Sequence, residues 1–270
     1  MKRFFVFVFA AGLGLAAADT LDFGRHTVIV TVQSRPGLAP LVDINLQGRA
    51  LVALKKARYD RDLSVADFLA ARPRDAAKLE RMTFAGRPAE TKYHSDGSVT
   101  VDHEFPLTGA ILEQLAPKTG GGKLLGRVAC PCCGQAWPEG REVPEGLAVV
   151  PYETGAPPAY SGILIDCRGL GLKPAVFPRA VDEQDREAWG VGFAERKEIV
   201  ARGMAGYYRN RNEAAATDRI GANPLVIRAI DVTGANSCDA VVSAADAARL
   251  HGFRAYLDLL LQCRVGFLID

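Results

Sequence analysis

The sequence predicts an α+β protein made of two sheet-plus-helix units joined near a triple glycine. Three observations carry this reading. Short runs of β-branched and apolar residues alternate with stretches of helical periodicity along the chain. Asp96-Gly97, flanked by strand-like runs, marks a hairpin in the first half. Between two such blocks stands PKTGGGK, residues 117 to 123, which has linker composition. The predicted organisation is a leader over residues 1–18, an α+β unit over 19–117, a linker with a cysteine cluster over 118–158, and a second α+β unit over 159–270.

With 270 residues, 49% of them hydrophobic, the chain can bury one large core or two modest ones. Lys and Arg number 33 against 31 Asp and Glu, so no electrostatic footprint points to nucleic acid or to an anionic membrane. The opening MKRFFVFVFAAGLGLAAADT has the layout of an export signal: basic Lys2 and Arg3, an apolar Phe4 to Leu15, and small Ala16 to Ala18 before Asp19. Its apolar stretch is shorter than the roughly 20 residues a spanning helix needs. The expected location is therefore periplasmic or secreted, with no direct membrane span after cleavage.

In chain order, His26 to Gln33 reads as a strand of β-branched residues. Pro40 to Tyr59 carries Leu41, Ile44, Leu51, Leu54 and Ala57 at helical spacing and predicts a long amphipathic helix. Ser64 with Asp67 forms a capping box opening a short helix, and Pro73 opens a second one over Arg74 to Met82. The hairpin Thr91–Ser95 and Ser98–Phe105 is expected to close through the three-residue loop Ser95-Asp96-Gly97, because that parity sets Tyr93 opposite Val99 and Thr91 opposite Val101. Gly97 is then left-handed and His103 faces the core edge. Leu107 to Leu115 reads as a short helix.

The GGGK of the linker invites comparison with a phosphate loop. The pattern fails: Pro117 stands where a Gly is required and Leu124 where Ser or Thr is required. A flexible joint is expected instead. Beyond it, ACPCCGQAWPEG holds Cys130, Cys132 and Cys133, with Cys130 and Cys133 in C-x-x-C spacing. One such knuckle without a second pair is half a zinc site. A redox pair would need a means of lowering a thiol pKa, and Pro138 leaves little room for a following helix. In an exported chain a loop stapled by a disulfide, or one holding inert thiols, is the expected reading. Cys167, Cys238 and Cys263 sit in apolar surroundings.

The second half opens with a strand over Leu147 to Tyr152 and a turn at 156–159. Next comes YSGILIDCRGLGLKPAVFP, residues 160–178, in which the buried-strand profile Ile163 to Cys167 meets a second extended run through Gly169 and Gly171. Val176–Val181 and Ala188–Val191 read as a hairpin around Asp182 to Arg186. Arg196 to Arg219 is rich in Arg, with Tyr207 and Tyr208 between, a composition that can stack on single-stranded nucleic acid. Glu198, Glu213 and Asp218 within it and Glu195 just before it dilute it, so a solvated helix or loop is expected. Pro224–Val232 and Ala240–Ser243 read as strands, Ser243 with Asp246 caps a helix over Ala244 to about Cys263 with Leu250, Phe253, Leu257 and Leu261 buried, and Val265–Ile269 ends the chain as a strand.

The segment 160–178, NPLVIRAIDVTG, CDAVVSAADAARL and the terminal apolar strand resemble exported proteins related to the LPP20 lipoprotein family. The first half, with its strand, long helix and DGSVTVDHEFPLTGAIL, resembles the LPP20-type domain at the N-terminus of the flagellar protein FlgT. The resemblance implies antiparallel sheets with helices packed on one face. It also implies a role in envelope or flagellum assembly without catalysis, with envelope or flagellar proteins as partners. This chain departs from that family by lacking a Cys at the cleavage region and by carrying the cluster at Cys130. No G-x-S-x-G and no H-E-x-x-H occur, so no catalytic, cofactor-binding or metal residue is assigned. The expected protein is non-enzymatic and needs no cofactor. The alternative is a thiol redox or zinc-binding envelope protein using Cys130, Cys132 and Cys133.

Overall fold

The structure, a computed structural model, describes residues 19–34, 36, 45–82, 86–128, 130–133, 135, 137, 149–150 and 157–270. The expected leader, the start of the first long helix and both ends of the strand expected over 147–152 lie outside the described residues. The first half runs β1 (Thr20–Asp22), β2 (Thr27–Gln33), α1 (Leu46–Lys55), α2 (Val65–Ala70), α3 (Pro73–Arg81), β3 (Arg87–Tyr93), β4 (Val99–Pro106) and α4 (Ala110–Leu115). A short pair, β5 (Arg127–Val128) and β6 (Val149–Val150), leads into β7 (Ile163–Asp166), β8 (Ala180–Val181), β9 (Glu187–Trp189), α5 (Arg196–Arg202) and β10 (Gly206–Tyr208). Then follow α6 (Arg211–Ala215), β11 (Leu225–Arg228), β12 (Asp231–Thr233), β13 (Asp239–Val241), α7 (Ala244–Leu250), α8 (Arg254–Leu261) and β14 (Val265–Leu268). The class is α+β, as the sequence predicts.

The first sheet has the order β1-β2-β4-β3 and is antiparallel throughout. Its hairpin closes as the side-chain parity requires: Tyr93 lies opposite Val99, Thr91 opposite Val101, and Gly97 takes φ 79°. The amide of His94 donates to Ser98 O at 2.9 Å, which leaves Ser95-Asp96-Gly97 as the loop. Helix α1 buries Ala50, Ala53 and Leu54 and stops at Lys55, short of the expected Tyr59. There the chain turns back so that Arg58 bridges Ser64, whose side chain completes the capping box of α2. Pro73 is the first residue of α3, where its missing N–H costs nothing.

The second half departs from the antiparallel expectation. Its central sheet, β10-β14-β7-β11, is entirely parallel. β7 (ILID) and β14 (VGFL) are buried at every position, and such unalternated strands are what a sheet covered on both faces requires. The connections pass through α5, α6, and the pair α7 and α8. A third sheet, β12-β13-β8-β9, is mixed: β13 runs parallel to β8, and β8 pairs antiparallel with β9 as the expected hairpin.

Two further expectations are corrected here. Tyr207 and Tyr208 are buried in β10, not set on a solvated helix or loop. The single C-terminal helix is two helices broken at His251-Gly252. Its buried stripe is Leu250, Tyr256, Leu257 and Leu260, while Phe253 and Leu261 are only partly covered.

One apolar core runs through both halves, taking in Val28, Leu54, Phe105 and Leu115 from the first and Ile165, Trp189 and Phe267 from the second. Tyr59 stands at the seam. Its ring stacks on Phe68 at 4.0 Å and tilts against Phe177 at 4.9 Å, and its hydroxyl donates to Leu115 O at 2.9 Å.

Candidate functional site

The cysteine cluster occupies a tight turn between β5 and β6. Residues 131–133 form the turn, and the amide of Cys130 donates to Gln135 O at 2.8 Å. The backbone N–H groups of Cys132 first, and of Cys133 next, hold the Cys130 thiol below its ordinary pKa. Cys132 and Cys133 are exposed and Cys130 is half-buried. All three are free thiols. Gly134 and Pro138 lie outside the described residues.

The other three cysteines are different. Cys167, Cys238 and Cys263 are buried free thiols, and burial pushes each up to about 12. At neutral pH such groups behave as small apolar side chains. Among the described residues no group of three or more His, Cys, Asp and Glu side chains is arranged to hold a metal ion. Also among the described residues, no helix is long and apolar enough to cross a membrane.

The glycine stretch is docked. Gly120 donates to Val191 O at 3.2 Å and Gly122 to Gly192 O at 3.1 Å. A Cβ on Gly122 would fall 2.7 Å from the Phe193 ring, so the close approach of the two segments favours glycine there. This stretch walls a crevice of about 630 Å³ with Lys118, Lys123, Arg186 and Glu187 at its rim. Glu187 accepts from Gly192 N at 3.1 Å, and burial raises its pKa.

A parallel sheet commonly receives ligands at the carboxyl ends of its strands. In this protein that edge is taken up by the chain's own groups. Asp166, at the end of β7, accepts two bonds from Arg168, at 2.8 Å from Nε and 2.6 Å from Nη2. The carboxylate of Asp270, after β14, accepts the amide of Gly169 at 3.0 Å. Gly169 has φ 81°, the left-handed geometry that aims its N–H at that carboxylate. The Arg168 bond is the first cause holding the Asp166 carboxyl below its usual range.

A buried ionic knot joins the halves. Asp239, with no solvent exposure, accepts Arg179 Nε at 2.8 Å and lies 3.6 Å from Arg61 Nε, while Arg61 also donates to Asp185 at 2.9 Å. Sequence reasoning missed this knot, because the partners are far apart in the chain and no spacing rule links them.

The fold and sites thus define an α+β chain with an antiparallel sheet in its first half, a parallel sheet in its second, and an exposed thiol turn between them. Residues 162–270 match the family described as Treponema pallidum Tp0624, second domain, a likeness that covers the parallel-sheet half and leaves the first half outside it. Among curated proteins no sequence matches the chain.

Proposed function

We propose that this is an exported, non-enzymatic protein that works in the cell envelope through protein contacts, as a structural or assembly component associated with the flagellum or the outer membrane. One observation supports this above the others. β3 is the last strand of its sheet and is exposed at all seven positions, with Tyr93 82% exposed near the hairpin tip. An edge strand offers backbone donors and acceptors to an extended partner segment, and an exposed aromatic ring supplies contact area. Arg87, Pro88, Glu90 and Lys92 punctuate the same edge, which discourages indiscriminate self-pairing. The export-type leader and the resemblance to the LPP20-related proteins agree with this reading.

The test is crosslinking in intact cells with a photoreactive residue at Tyr93. A discrete adduct with an envelope protein is expected, weakened by a Pro substituted at Thr91. Recovery of the protein from the cytoplasm alone, without an adduct, would overturn the reading.

A further inference from the structure

The exposed edge of the first sheet carries a pattern that a general docking strand does not need. The amide of His94 donates to Ser98 O at 2.9 Å, and on the far side of β4 the Ser34 amide donates to Val99 O at 2.8 Å. Bonding alternates along an antiparallel pair, so Lys92 and Glu90 turn their backbone groups toward Thr100 and Asp102 of β4, while Thr91 and Tyr93 turn theirs outward. The ladder to β4 shifts between Pro88 and Glu90, and Pro88 has no N–H, so the open edge is confined to Ala89–Tyr93. Every residue of it is exposed.

We propose that β3 pairs antiparallel with β3 of a second copy of this chain, about a two-fold axis at Thr91, joining the four-stranded sheets of the two copies into one. This pairing rests on the proposed use of β3 as the contact edge and supplies its partner. In this register Thr91 of each copy exchanges backbone N–H and C=O bonds with Thr91 of the other. Glu90 of each copy then stands opposite Lys92 of the other, and Tyr93 stands opposite Ala89.

Charge and size select this register over its neighbours. Glu90 and Lys92 lie 3.2 Å apart on one face of the strand, both more than half exposed. Centring on Thr91 sets two unlike pairs across the axis. Centring on Glu90 sets Glu90 against itself, and centring on Lys92 sets Lys92 against itself, and like charges directly opposite destabilise a sheet. The charges that block indiscriminate pairing thus favour one arrangement among the three. In that arrangement the large ring of Tyr93 meets a small Ala89 at each end, and two threonines meet at the centre, a pair that stabilises sheets. The run is short, bounded by Pro88 and the hairpin loop, so the dimer is concentration-dependent and not permanent.

The experiment is sedimentation velocity on the purified full chain over about 5–500 µM, under reducing conditions so that the exposed Cys132 and Cys133 cannot link copies. Wild type is expected to shift from monomer to dimer across that range. Glu90→Lys or Lys92→Glu sets like charges opposite at both symmetric positions and should weaken the dimer about tenfold. The double variant, which exchanges the two charges, should return to wild type. The proposal is overturned if wild type stays monomeric throughout, if the single variants associate as wild type does, or if the double variant fails to recover. A charge-dependent dimer would stand even for a chain recovered from the cytoplasm. A monomer that still gives a Tyr93 adduct with a different envelope protein would remove the dimer and leave the envelope reading in place.

Discussion

Nδ1 of His251 accepts a hydrogen bond at 2.7 Å from the backbone N–H of Leu125, while its Nε2 donates to Ala188 O at 2.7 Å. The two bonds require one neutral tautomer, with the proton on Nε2. They tie the end of the glycine stretch to the break between α7 and α8. Replacing His251 by Phe would keep the ring against Phe193, now 4.7 Å away, but would leave a buried amide and a buried carbonyl without partners. A loss of about 2–4 kcal/mol is expected in urea denaturation. A loss under about 0.5 kcal/mol would show that the pair contributes nothing.

Acid should expose the same principle at His26. Burial first, then the Arg219 charge, lowers its pKa to about 4. Above the ordinary imidazole value of 6.5 both folded and unfolded chains hold it neutral, and its full contribution is present. Below 6.5 the unfolded chain takes up a proton that the folded chain refuses, so stability falls with pH until about 4. The loss across this window is on the order of 2–3 kcal/mol. His26 has φ 50°, a conformation that Asn tolerates, so His26→Asn removes the titration without adding backbone strain. Urea midpoints measured from pH 7.5 to 4.5 should fall less steeply in the variant than in wild type, and equal slopes would count against a neutral, half-buried His26.

Local chemistry was the legible part of this fold. The capping box at Ser64, the N-cap at Ser243, whose side chain accepts the Asp246 amide, Pro73 at a helix start and the Tyr93–Val99 register are all set by neighbours in sequence, and all are found, though the reciprocal half of a box at Ser243 is not. The direction of the second sheet was not read, although its signal was present: Ile163–Asp166 and Val265–Leu268 do not alternate, as strands with one wet face would. Tyr207 and Tyr208 were misplaced because Arg209 and Arg211 beside them suggested a wet surface, whereas the Tyr207 hydroxyl satisfies itself on Ala175 at 3.1 Å and so permits burial. The cysteine turn could be located from C-x-x-C spacing, but the bond from the Cys130 amide to Gln135 O that closes it could not, since it depends on backbone geometry that Cys-Pro-Cys-Cys does not fix alone.

The knot at Asp239 gives a prediction about a buried charge. Burial raises its pKa and the Arg179 bond opposes that shift. Asp239→Asn would leave Arg179 and Arg61 without their shared anion in a site where neither can be fully solvated. A loss of about 3–5 kcal/mol is expected by chemical denaturation. Loosening should concentrate where Arg61 meets the 234–239 turn, whose Asn236 amide donates to Arg61 O at 2.8 Å. Hydrogen exchange that rises at Asn236 but not at Ile165 would match this, and a uniform rise would not.

Arg219 is buried, and the oxygens it reaches are carbonyls. Its Nη1 donates to Cys263 O at 2.6 Å and to Gly203 O at 3.1 Å, and its Nη2 to Arg202 O. Two of these contacts, to Arg202 and Gly203, join it to the end of α5, where unpaired carbonyls carry the negative end of the helix dipole. The third carbonyl, of Cys263, precedes β14, so one guanidinium closes a helix against the central sheet. Lys at this position would keep the charge but could not span the same oxygens with a planar fork. Arg219→Lys is therefore expected to cost nearly as much as Arg219→Met, about 2–4 kcal/mol in either case. Denaturation midpoints would decide it: a Lys variant as stable as wild type would mean that charge alone suffices, and that the fork geometry is incidental.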